Sequence, residues 1–137
     1  MNLFVDSSAW YALSDYDDRH HDSASVFLSQ VLRSNNHLIT SNLIIGETYT
    51  LLRARLGYRE AWEFLARVKA SSHLEIIFIN EIIESKAYNL LKRFRDQNFS
   101  YVDGTSFVLM QERRITEAFA YDKHFLTAGF TLLPYDQ

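Results

Sequence analysis

Short apolar runs alternating with stretches of helical period constrain this chain more than any other feature. Residues 2–5, 37–40, 75–79, 118–121 and 130–133 have the length and composition of brief buried strands. Between them, apolar residues recur at helical spacing, as in Ala24, Phe27, Leu28, Val31 and Leu32, or Ile83, Ala87, Leu90, Leu91 and Phe94. Strands separated repeatedly by helices predict an α/β fold, a three-layer α/β/α sandwich around a central, mainly parallel sheet. In such folds ligands bind beyond the carboxyl ends of the strands.

Local signals place the boundaries. Ser7 and Ser8 are candidate caps for a short helix carrying Trp10 and Leu13, and the polar residues 14–18 read as a loop. Ser41 or Asn42 caps a helix that runs to about Leu56, where Gly57 stops it. Ala61, Phe64, Leu65 and Val68 mark another amphipathic helix, and Asp103 begins a later one with Phe107 and Met110 downstream. The 137 residues are expected to form one domain, 1–137, because 47% hydrophobic content can build a core and 4 Gly with 1 Pro argue against linkers.

Several classes drop out on composition. Without cysteine there are no disulfides, thiol nucleophiles or thiolate zinc sites. Asp6 follows only a few apolar residues and no window approaches the roughly 20 apolar residues of a membrane span, so a soluble, cytoplasmic chain with no membrane contact is expected. A net charge of −3 excludes nucleic-acid binding through global basicity. A cation-filled acidic site would cancel much of that charge, leaving Arg53, Arg55, Arg59, Lys92, Arg93, Arg95, Arg113, Arg114 and Lys123 as candidates to meet phosphates.

Four acids interrupt apolar segments. Asp6 ends Leu3-Phe4-Val5, Glu47 lies in a helical stripe between Leu43 and Leu51, Asp103 follows Ser100-Tyr101-Val102, and Asp122 follows Ala118-Phe119-Ala120-Tyr121. Carboxylates gathered at one end of a fold repel and raise one another's pKa unless a cation neutralises them. Mg²⁺ and Mn²⁺ take oxygen ligands and keep several waters, so a few acids suffice. Each acid also has an ordinary reading: Asp6 and Asp103 as helix caps, Asp122 as a turn residue, Glu47 as an acid at a solvent edge or paired with an arginine. His20-His21 among Asp15, Asp17, Asp18 and Asp22 lacks the glycine of an EF-hand and reads as a solvated segment.

Taken in order, Phe4-Val5-Asp6-Ser7-Ser8-Ala9-Trp10, Thr40-Ser41-Asn42-Leu43 through Gly46-Glu47, Phe99-Ser100-Tyr101-Val102-Asp103 and Tyr121-Asp122-Lys123-His124-Phe125 resemble the PIN-domain nucleases. Within them the likeness is to VapC-type toxin ribonucleases of type II toxin–antitoxin systems, and it spans essentially the whole chain. The resemblance implies an acidic Mg²⁺ or Mn²⁺ site made by Asp6, Glu47, Asp103 and Asp122, with Ser7 beside it. Asp6 and Asp103 would serve a central metal, Glu47 would coordinate directly or through water, and Asp122 would serve a second metal or its water shell.

The implied reaction is metal-dependent hydrolysis of RNA phosphodiester bonds. The likeness further implies a cognate VapB-like antitoxin covering the site and a toxin homodimer, for which the helix around Trp62 and Phe64 offers apolar surface. Gly104 stands where related sequences often carry Ala, which is expected to loosen the helix start. The alternatives are a non-catalytic PIN-like binding or scaffold protein and an aspartyl-phosphate phosphatase of haloacid dehalogenase type. The phosphatase chemistry wants a second Asp two residues after the first, where this chain has Ser8.

Overall fold

The computed structural model describes residues 1–135. Its elements run β1 (Asn2–Val5), α1 (Ser7–Ser14), α2 (His21–Arg33), β2 (His37–Ser41), α3 (Asn42–Arg55), α4 (Tyr58–Ala70), β3 (Leu74–Ile77), α5 (Glu81–Arg93), α6 (Tyr101–Glu112), β4 (Glu117–Phe119), α7 (His124–Thr127) and β5 (Thr131–Leu133). All strand pairs are parallel, in the order β3-β2-β1-β4-β5. The expected mainly parallel sheet is therefore entirely parallel.

Both faces of the sheet are covered. Successive strand residues point to opposite sides, yet Leu3, Phe4 and Val5 are all buried, as are Leu38, Ile39 and Thr40. Helices α1 to α4 pack on one another in sequence neighbourhoods, while α5 packs on α6. Phe4 reaches the α6–α7 side, where Phe107 and Phe125 meet edge-to-face at 5.0 Å. Two covered faces give the three layers read from the sequence.

Chain order places the site. Strand β1 continues to β2 on one side and pairs with β4 on the other, so the order reverses between β1 and β4. That reversal leaves a crevice at the carboxyl ends of these two strands. Asp6 lies at the end of β1 and Asp122 just past β4.

Several boundaries differ from the sequence reading. Asp6, rather than Ser7 or Ser8, caps α1, and Ser41 caps α3 through the Ile44 amide. Gly57 ends α3 and caps α4 with φ of +105°, a backbone conformation that favours glycine. Strand β3 stops at Ile77 because its last partner, Ser41, is where β2 turns into α3; Phe78 is left 72% exposed. Helix α6 starts at Tyr101, so Asp103 is its third residue, and α7 is a single turn that the sequence reading left out. Gly104 tightens rather than loosens: a Cβ there would lie 2.9 Å from Leu91 Cγ, where α5 crosses α6. None of the helices among the described residues is long and apolar enough to cross a membrane.

Candidate active site

Asp6 continues the pairing of β1 by donating its amide to Phe119 O at 3.0 Å, then turns the chain into α1. Its carboxylate Oδ2 accepts the Ser8 amide at 3.2 Å and the Ser8 hydroxyl at 2.6 Å. Ser8 Oγ in turn accepts the Tyr121 amide at 2.9 Å. One serine thereby ties the first acid to the segment that carries Asp122. Asp6 is 4% exposed, and burial pushes its carboxyl up to about 7. The two Ser8 bonds oppose that rise, and the charges of Asp122 and Asp103 add to it.

Asp103 is built into a reciprocal cap. Ser100 Oγ accepts the Asp103 amide, and Asp103 Oδ2 accepts the Ser100 amide, each at 3.0 Å. The cap and a ligand role are compatible, because one oxygen does the capping. His124 Nδ1 lies 3.0 Å from the same Oδ2 and 3.5 Å from Asp122 Oδ1. Asp122 Oδ1 also accepts the His124 amide at 2.9 Å. Atoms from Asp103, Asp122 and His124 fall within 4.8 Å of one another.

Glu47 follows the solvent-edge reading rather than that of an acid enclosed by its apolar stripe. It is exposed on α3, beside a groove also lined by Asn42, Leu43, Tyr101 and Val102. The stripe between Leu43 and Leu51 is only partly covered, so no desolvation problem arises there. Ser7 holds the residue instead, its hydroxyl donating to Glu47 Oε1 at 2.5 Å. The run Asp6-Ser7-Ser8 thus contacts Glu47 on one side and the Asp122 segment on the other.

A common pattern results. In each of the four acids one carboxylate oxygen is engaged by the protein's own donors, and the second has no hydrogen-bond partner among the described residues. Nor does any Lys or Arg form an ion pair with these acids there. Hard oxygen donors left free beside a buried carboxyl that resists ionisation are the donor set a hard divalent cation takes.

A family model described as PIN domain matches residues 3–130. The chain belongs to the PIN-domain family. This PIN domain is 34% identical over 128 residues to the 23S rRNA-specific endonuclease VapC20 of Mycobacterium tuberculosis, covering 93% of this chain and 95% of that protein. It is 30% identical over 129 residues to a VapC ribonuclease of Archaeoglobus fulgidus, covering 91% and 80%. The crystal structure of VapC20, described as a Sarcin-Ricin loop cleaving toxin, superposes with a TM-score of 0.85 over 94% of this chain and 96% of that one. FitAcB from Neisseria gonorrhoeae shares the fold, with a TM-score of 0.65 at 13% identity over 96% of each chain.

Within this PIN domain two of the residues that organise the acidic set, Ser8 and His124, carry no sequence signal for that role. Ser8 was legible only as a generic cap, and His124 only as a neighbour of Asp122; neither follows a spacing that marks a ligand. The candidate phosphate contacts also sort themselves. Arg113 is bonded to Glu75 at the other end of the sheet, Arg59 pairs with Glu63, and Arg53, Arg55 and Arg93 lie over aromatic rings. Lys123 is exposed directly beside Asp122.

Proposed function

We propose that this chain is a VapC-type toxin ribonuclease that hydrolyses RNA phosphodiester bonds, with residues 1–137 acting as one catalytic domain. The observation that carries this reading is the set Asp6, Glu47, Asp103 and Asp122: four acids in a PIN domain, each with an oxygen left free and none neutralised by a Lys or Arg among the described residues. Its relatives are named endonuclease and ribonuclease. The scaffold and phosphatase alternatives gain no comparable observation, and Ser8, standing where the phosphatase needs its second Asp, is spent on bonds to Asp6 and Tyr121.

Asp6 and Asp103 would hold the central Mg²⁺ or Mn²⁺, with Glu47 reaching it directly or through water and Asp122 serving a second ion or its water shell. A divalent ion bound there lowers the pKa of the attacking water and stabilises charge on the scissile phosphate. The chain's own residues supply the geometry. Ser8 fixes which Asp6 oxygen faces inward, the Ser100 cap fixes Asp103, and Ser7 draws Glu47 toward the end of β1. Lys123, exposed beside Asp122, would meet a phosphate oxygen of the RNA.

Control from outside fits a compact enzyme of this kind: a VapB-like antitoxin would cover the site, an inserted Arg or Lys competing with the cation by charge pairing. The chain would act in the cytoplasm as a homodimer. Phe64 is buried and cannot serve the contact, whereas Trp62 remains 54% exposed, and Phe78, Ile82 and Tyr88 are further exposed apolar side chains. Sedimentation equilibrium should give a dimeric mass at micromolar concentration.

Expression of the wild type should arrest growth with new RNA ends appearing, and co-expression of a cognate VapB-like antitoxin should reverse it. Asp103→Asn should be harmless. If Asp103→Asn arrests growth as strongly as wild type, ribonuclease-driven toxicity is the wrong mechanism.

A further inference from the structure

We propose that His124 is a positioning residue that holds Asp103 and Asp122 together at the cation site. The inference rests on the cation-site reading above. His124 Nδ1 lies 3.0 Å from Asp103 Oδ2, while its own backbone amide donates to Asp122 Oδ1 at 2.9 Å. Side chain and main chain of one residue therefore engage two acids that come from different elements, α6 and the turn after β4.

The chemistry assigns the proton. An ionised carboxylate only accepts, so the nitrogen facing Asp103 Oδ2 is the one that carries hydrogen. A protonated Nδ1 has no lone pair for a metal, so this nitrogen orients the carboxylate rather than binding the ion. Asp103 Oδ2 then receives two donors, the Ser100 amide and His124 Nδ1, and the other oxygen is turned out of the cap. The imidazole is itself fixed: its ring meets Phe99 edge-on, with centroids 5.3 Å apart and planes at 70°.

Removing this donor leaves Asp103 with the Ser100 bond alone, opposite Asp122 and near Asp6. Like charges then favour carboxylate orientations that separate the oxygens, the reverse of what a compact cation site needs. Partners of this kind, which orient ligands without touching the metal, typically change metal affinity 10–100-fold when lost.

The test uses the purified full chain. Mn²⁺ binding is followed by the electron paramagnetic resonance signal of free Mn²⁺, kcat and KM are measured on a short single-stranded RNA, and circular dichroism reports folding. His124→Ala is expected to weaken Mn²⁺ binding by about 10–100-fold and to lower kcat with little change in KM for RNA. His124→Asn places an amide N–H at the same δ position without the ring, so it should restore most of both. Wild-type Mn²⁺ affinity in His124→Ala overturns the positioning role. So does a folded His124→Asn that is as impaired as complete loss of the donor predicts; if His124→Ala fails to fold, this second variant decides. Asp103→Asn separates the two levels of inference. If wild type itself binds no Mn²⁺, the cation-site reading fails. If wild type binds, Asp103→Asn does not, and His124→Ala matches wild type, only the role of His124 fails.

Discussion

At the amino end of the sheet Glu75 accepts two bonds from Arg113, at 3.0 and 3.2 Å, and one from His37 at 2.7 Å. At the carboxyl end Asp6, Glu47, Asp103 and Asp122 have no Lys or Arg ion-pair partner among the described residues. The difference shows in the acids themselves. Hydrogen bonds from Arg113 and His37 hold the Glu75 carboxyl down at about 2, whereas burial pushes Asp6 up to about 7. One end carries its own counter-charge and the other has none from Lys or Arg, which separates a charge-paired acid from the proposed cation ligands within a single sheet.

The largest contrast between the ends should be in activity. Asp6→Asn or Asp103→Asn keeps the side-chain size and the cap acceptor but loses the charge, so RNA cleavage with Mg²⁺ or Mn²⁺ should fall below detection while circular dichroism is unchanged. Glu75→Gln should cleave like wild type. Full cleavage by both Asn variants, or loss of cleavage in a folded Glu75→Gln, would erase the distinction.

Stability should respond next, and in an unusual direction. The folded pKa of Asp6 lies above its unfolded value, so this group favours folding below about pH 4, and the contribution is lost as pH rises through about 7. A shift of that size corresponds to roughly 4 kcal/mol at most. With a chelator at about pH 8, Asp6→Asn should therefore melt higher than wild type, and the gain should shrink toward pH 5 or on adding Mn²⁺. Calorimetric midpoints that are lower for Asp6→Asn at pH 8 would contradict this.

The smallest effect belongs to Glu75. Its pairs are more than a third exposed, so solvent screening limits Glu75→Gln to less than about 1 kcal/mol. Because the folded pKa is lowered, the contribution is present above about pH 4.5 and disappears as pH falls through about 2. Urea midpoints of wild type and Glu75→Gln should differ near neutrality and converge in acid; a widening gap in acid would reverse the assignment.

How much of this was legible depended on whether a residue broke a local pattern. Asp6 and Asp122 did, each ending an apolar run beyond a strand, and the parallel sheet brings both to its carboxyl end. Asp103 was legible as an acid at a helix start, but its place as third residue of α6 follows from Ser100 capping two positions earlier than expected. The helical neighbours of Glu47 left both an enclosed acid and one at a solvent edge open; α3 turns that residue outward, and Ser7 rather than a metal accounts for its direction in the protein alone. Ser8 and His124 act across 113 and 21 residues of sequence. No period or spacing reports contacts of that range. The four-residue α7 was too short to show any helical repeat.

Titration calorimetry of Mn²⁺ into the wild-type chain, repeated near pH 6.5 in buffers of different ionisation heat, probes the unneutralised acids directly. Saturable binding should be accompanied by proton release, because Asp6 is still largely protonated below about 7 and must ionise to meet the cation. Asp103→Asn should lose the binding, and Glu75→Gln should keep it with the same proton count. A wild-type chain that shows no saturable Mn²⁺ heat, or the same heat in Asp103→Asn, would mean that these four carboxylates do not form a cation site.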